Sequence, residues 1–292
     1  MGTTLVHYAG KLIGKIHIIE SKSNGKKEFI DSITYSISKV KYSGFGGFKE
    51  KTWLRRFLPP GIFGEYKVEK VPEYRLPNKE LNKLISNALI KSYKVLPSPH
   101  TNIFVFPTFS SFVKHQMKGS TGNSPYKNTI HMYVYPEKVI GWQRLKPKGF
   151  GWSSLKKTKR WQQEISNTIA HEYTHSVVMR HHKWRTLLDS LAYEGLAEHF
   201  RERIVGGGRA PWTIAISKEQ IQRYWRELKP QINSKDYKLY HKVFFEGKSY
   251  PRWTGYTIGY NIFKSFLKNE KSKDWKQIVK NNSTQILAKS NF

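Results

Sequence analysis

Between Trp161 and Arg180 the chain runs without a proline or a glycine, and within that run stands His171-Glu172-Tyr173-Thr174-His175. Trp161, Ile165, Thr168 and Ile169 before it and Val177-Val178 after it recur at helical spacing, so the run predicts a helix. On a helix, residues four apart lie roughly 40° apart around the axis and one turn along it. The two imidazoles therefore face one side, where two nitrogens can share one zinc ion at roughly 2.0–2.1 Å each. Glu172 stands beside them, where a carboxylate can take a proton from water. Three fixed positions recur by chance in unrelated helices, so this motif needs support from elsewhere in the chain.

That support comes from Leu191-Ala-Tyr-Glu-Gly-Leu-Ala-Glu198. Apolar residues at 187, 188, 191, 196 and 200 predict a second, amphipathic helix. Glu194 and Glu198 are four apart and project from one face. A catalytic zinc takes three protein ligands and keeps a fourth position open, so Glu194 can be the third ligand. Glu198 can then accept the remaining N–H of a ligand histidine and fix its tautomer.

HEYTH followed nineteen residues later by Glu194, in the setting EGLAE, resembles the gluzincin clan of zinc metallopeptidases, the thermolysin-like type. The wording IAHEYTH, LAYEGLAEHF and ILAKSNF is most similar to a bacterial family of predicted zinc-dependent proteases. The resemblance covers residues 77–292. It implies a zincin-like domain hydrolysing peptide bonds, with His171, His175 and Glu194 as zinc ligands, Glu172 as base and Glu198 behind a ligand histidine. Trp253-Thr-Gly-Tyr256-Thr-Ile-Gly259-Tyr260 is similar to the segment that supplies a catalytic tyrosine in gluzincin aminopeptidases. On that likeness Tyr256, or failing it Tyr260, donates to the oxyanion. A metzincin reading would use His181 as third histidine, but it wants glycine where Val178 stands.

The rest of the chain predicts an α+β fold with strands first and helices later. Residues 1–76 read as a β-rich segment, with short alternating stretches at Ile16–Ile19 and Ile33–Val40 broken by Gly and Pro turns. Residues 77–292 read as the catalytic domain. Asn78 opens a helix carrying Leu81, Leu84, Ile85, Ala88 and Leu89, which Pro97 and Pro99 end. Asn102–Phe106 and Thr129–Tyr135 read as strands, with a loop between them that holds Gly119, Gly122 and Pro125. Thr129–Tyr135, with His131, is the candidate edge strand for a peptide substrate. Helix resumes near Lys159. His181, His182 and His199 read as surface or packing residues rather than ligands.

Charge is the one compositional fact the function argument needs. Lys and Arg number 51 against 21 Asp and Glu, a net charge of +30. Such a field favours an acidic peptide or protein substrate, or an anionic surface or polyanion met by Lys138–Gln163, which carries eight basic residues and no acidic one. A rival reading makes the chain a basic polyanion-binding protein whose zinc site is vestigial or structural. The absence of cysteine excludes disulfides and thiolate-held metals. With no apolar run of about 18 residues and no signal-peptide pattern, a cytoplasmic location is expected.

Overall fold

The computed structural model describes residues 2–20, 25–38, 62–63, 76, 78–135 and 152–292. They fall into two compact units, Met1–Tyr93 with Ser98–Tyr173 and Lys94–Pro97 with Thr174–Phe292. The fold is α+β, with a mixed sheet followed by a helical C-terminal half.

The first unit is built on five strands: β1 (Gly2–Tyr8), β2 (Lys11–Ile18), β3 (Thr101–Pro107), β4 (Ser120–Tyr126) and β5 (Thr129–Val134). Their order is β1-β2-β3-β5-β4. The outer pairs are antiparallel, whereas β2, β3 and β5 run parallel. Every residue of β3 and β5 is buried. That is the pattern of central strands covered on both faces; Ile103–Phe106 is a continuous apolar run, whereas β5 also buries Thr129 and His131. α1 (Lys26–Ser38) contributes Phe29, Ile30 and Ile33 to a core shared with Phe104, Phe106 and Tyr133. α2 (Asn78–Val95) buries Leu81, Ile85, Ala88 and Leu89. A Cβ on Gly14 of β2 would stand 2.5 Å from Leu89 Cδ2, so glycine lets that helix approach the sheet. α3 (Ser111–His115) is a single capped turn. α4 (Trp152–Val178) leaves this unit between Tyr173 and Thr174.

Four local expectations change. Ile33–Ser38 is helical, because Phe29, Ile30 and Ile33 bury one face at helical spacing and outweigh the two-residue alternation further on. Lys39 and Val40 lie outside the described residues. The loop expected around Gly122 and Pro125 is β4. Among the described residues it pairs with β5 alone, so Pro125 costs the ladder nothing on its other side. It follows that β5, bonded to both β3 and β4, cannot be an edge strand, and β4 holds that place. Of Lys138–Gln163, positions up to 151 also lie outside the described residues, and helix begins at Trp152 rather than near Lys159.

The second unit is helical: α5 (Leu187–Val205), α6 (Lys218–Leu228), α7 (Tyr237–His241), α8 (Thr254–Asn269), α9 (Trp275–Ile278) and α10 (Ser283–Ala288). Thr186 and Asp189 form a capping box at the start of α5. The expected amphipathic helix proves buried almost all round from Leu187 to Glu198, so α5 is the central helix of its unit. α8 crosses it at very short range. A Cβ on Gly195 would lie 2.1 Å from the Gly259 carbonyl oxygen, and one on Gly259 would lie 2.1 Å from the Leu191 carbonyl oxygen. Both glycines of the sequence motifs are thus places where two backbones meet. Because the obstacle is backbone, Gly195→Ala should destabilise by at least the roughly 1–3 kcal/mol of an overpacked core. Chemical denaturation would measure it, and an unchanged midpoint would mean that the two helices can part freely.

Candidate metal centre

α4 carries His171 and His175 one turn apart, as a helix must. In the second unit α5 brings Glu194 to His175, with Nε2 and Oε2 3.4 Å apart. Among the described residues, His171, His175 and Glu194 offer ligand atoms that all lie within 4.8 Å of one another. Two ligands each about 2.0–2.1 Å from a tetrahedral zinc stand roughly 3.3–3.4 Å apart, so the His175–Glu194 pair already has the spacing of one edge of such a site. Two neutral imidazoles and one carboxylate are also a donor set that zinc accepts, with room left for a fourth ligand. The residues present fit a zinc ion.

The surroundings hold these side chains still. His175 and Glu194 are buried, and the ring of Trp184 stands edge-on to His175 with centroids 4.7 Å apart. Trp184 is itself fixed by its indole N–H, which donates to Ser190 Oγ at 2.9 Å. Glu198, one turn beyond Glu194, is 1% exposed. Its carboxylate accepts from Arg201 Nε at 2.9 Å and from the Trp212 indole at 2.8 Å. A buried carboxylate needs such donors, because an uncompensated charge there is expensive. Arg201, 2% exposed, donates onward to Glu202 and to the Gly208 carbonyl. Trp184 and Trp212 carried no signal in the sequence, since their partners are assembled by folding, whereas Arg201 stands three residues from Glu198 on the same helix.

Glu172 is buried in the first unit. The Ser124 hydroxyl lies 2.7 Å from its backbone carbonyl and 3.1 Å from Oε2. Burial, and then the charge of Glu172, push the Tyr133 phenol well above its usual range. Ser124 and Gly122 were unmarked in the sequence, because Gly119, Gly122 and Pro125 made the stretch read as a loop.

Tyr256 is half-buried on α8 and packs among Phe244, Phe245 and Trp212, with ring centroids 5.1, 6.1 and 6.4 Å away. The alternative, Tyr260, is buried and donates its hydroxyl to Glu202 Oε2 at 3.0 Å, with Arg209 over its ring. That bond gives Tyr260 a structural task. His131 is fully buried, edge-on to Phe104 and Phe106, and burial pushes its pKa down to about 3. It is a neutral core histidine. His182 bonds the Val279 carbonyl and stacks on Tyr193. His199 stacks on Tyr260 and is held near pKa 4 by burial. His181 is exposed, and none of these three is in the metal-ligand group.

Among known proteins, the family described as "Predicted Zn-dependent protease (DUF2268)" matches residues 81–288. A stretch of 116 residues is 36% identical to the "Uncharacterized protein YjaZ" of Bacillus subtilis (strain 168), covering 37% of this chain and 44% of that protein. The chain thus spans less than half the length of this relative. No solved structure matches. Among the described residues no helix is long and apolar enough to cross a membrane. The family match takes in α4, α5 and every residue of the ligand group, and it spans well over half of the sequence; the chain belongs to the family of predicted Zn-dependent proteases.

Proposed function

We propose that the chain is a zinc-dependent peptidase of the gluzincin type, cleaving peptide bonds. The observation that carries this reading is the convergence of a half-buried His171 with buried His175 and Glu194, with a carboxylate next in sequence to the first of them. Bound zinc would supply Lewis acidity, polarising a peptide carbonyl and making water a better acid near neutral pH. Glu172 takes the proton of that water on its carboxylate and hands it to the departing amine. A carboxylate has about four lone-pair sites, so Glu198, while held by Arg201 and Trp212, can also accept a ligand-histidine N–H and orient the ring. Tyr256 donates to the oxyanion. β4, as the edge strand, is where an extended peptide can add by backbone pairing. The net charge of +30 favours acidic substrates, or an anionic surface that concentrates them.

The purified protein should carry about one zinc per chain and cleave casein, with chelation abolishing cleavage and zinc restoring it. In the same assay Tyr256→Phe should keep its zinc and lose roughly 10²–10³ in turnover, the usual loss for one oxyanion donor. Full activity of Tyr256→Phe would remove that tyrosine from the mechanism. A protein that neither holds nor takes up zinc would end the whole reading. Raising the salt separates an acidic-substrate preference, which weakens, from a charge that plays no part in recognition.

A further inference from the structure

Glu164, Thr168 and Glu172, at four-residue intervals on α4, meet Lys118, Ser120 and Gly122, at two-residue intervals leading into and along β4, and Ser124 makes a further contact with Glu172. Lys118 pairs with Glu164 at 3.2 Å, Ser120 Oγ bonds Thr168 Oγ1 at 3.0 Å, and Ser124 bonds Glu172. Four helical residues rise about 6.0 Å and two strand residues about 6.6–6.8 Å, so strand and helix stay nearly in step over this length. At Gly122 a Cβ would stand 2.6 Å from Glu172 Cγ, so the strand backbone lies directly against the glutamate side chain. Just beyond, the β4–β5 register shifts between Asn123 and Tyr126. That bulge adds a residue to β4, and Ser124, two residues after Gly122, stays on the face that meets α4.

We infer that Ser124 is a positioning residue for Glu172, and this inference rests on reading Glu172 as the group that moves the proton. One hydroxyl spans the backbone carbonyl and Oε2 of the same residue, so it ties the carboxylate to its own helix and restricts its side-chain torsions. Gly122 closes the space into which the side chain would otherwise swing. The edge strand therefore does two things at once: it sets the carboxylate, and it offers its outer edge to an extended peptide. A base held in one orientation keeps its reacting oxygen within reach of the proton, which geometry demands before acidity matters.

The test uses the full chain as wild type, Ser124→Ala, Ser124→Thr, Glu172→Gln and the Ser124→Ala/Glu172→Gln double variant. For Ser124→Ala, kcat on a casein-derived fluorogenic peptide should fall roughly 10–100-fold, the range that a hydrogen bond to a charged group is worth. KM and zinc content should hold, and Ser124→Thr should restore turnover. The double variant should be no slower than Glu172→Gln alone. A second readout needs no activity. In the chelated protein, the thermal midpoint shifts of Ser124→Ala and Glu172→Ala, compared with that of their double variant, should not add, because Glu172→Ala removes the carboxylate that the Ser124 hydroxyl meets. Should Ser124→Ala fail to fold, Ser124→Cys keeps the shape and weakens the donor. Wild-type kcat in Ser124→Ala, or fully additive midpoint shifts, would overturn the inference. An active Glu172→Gln would instead overturn the role of the glutamate while the non-additive midpoints stood.

Discussion

Glu172→Gln should keep its zinc and lose at least the roughly 10²–10⁴-fold that positioned acid–base catalysis contributes. The substitution is nearly isosteric and leaves His171, His175 and Glu194 untouched. What it removes is the basic oxygen that accepts a proton. Glu172 is 6% exposed and sits against Gly122 and Ser124. A glutamine of the same length fills that space and still accepts a hydrogen bond from Ser124 through its amide oxygen. Folding should therefore be little changed, and the loss should appear in kcat. Zinc analysis, a denaturation midpoint and casein turnover on the same preparation check all three. If Glu172→Gln turned over casein at the wild-type rate, the proposed mechanism would be wrong whatever the metal content.

Glu194→Ala should lose the metal itself. Substitutions behind a ligand cost on the order of 10–100-fold in metal affinity, so removing a ligand should exceed about 100-fold. Glu198→Gln is the informative comparison, because Glu198 lies one turn along the same helix and is at least as deeply buried. If Glu194 binds zinc and Glu198 only supports the site, zinc titration followed by competition with a chelator should rank them in that order. Glu194→Ala also leaves a cavity in the central helix of its unit. Glu194→Gln preserves the volume and separates lost ligation from lost packing. Equal zinc affinities for Glu194→Gln and the wild type would rule out Glu194 as the third ligand.

Much of the fold was legible because the relevant physics is local in sequence. Residues four apart share a helix face wherever the chain is helical, so the His171–His175 pair and the Glu194–Glu198 pair are visible in the amino-acid order alone. The strand-forming Thr, Ile, Tyr and Val of Thr129–Val134 marked a strand for the same reason, and helical spacing from Leu81 to Leu89 marked α2. Where two local periods competed, as at Ile33–Ser38, the deciding term was burial against Phe104 and Phe106, which lie about seventy residues away in sequence. No window of sequence contains that term.

The sequence by itself singled out His171, His175 and Glu194 as a candidate ligand set and the two helices that hold them, because residue type and helical period are properties of short segments. Tertiary structure alone decided their neighbours. It placed β4 rather than β5 at the edge of the sheet, since strand order depends on pairings between distant segments. It turned Gly195 and Gly259 from motif letters into a backbone crossing, gave Glu198 its partners Arg201 and Trp212, and set Ser124 against Glu172. Apart from the Glu198–Arg201 pair, which helical spacing brings together, each is a contact between groups on different elements. Such contacts come into being only when burial of the apolar faces forces the elements together.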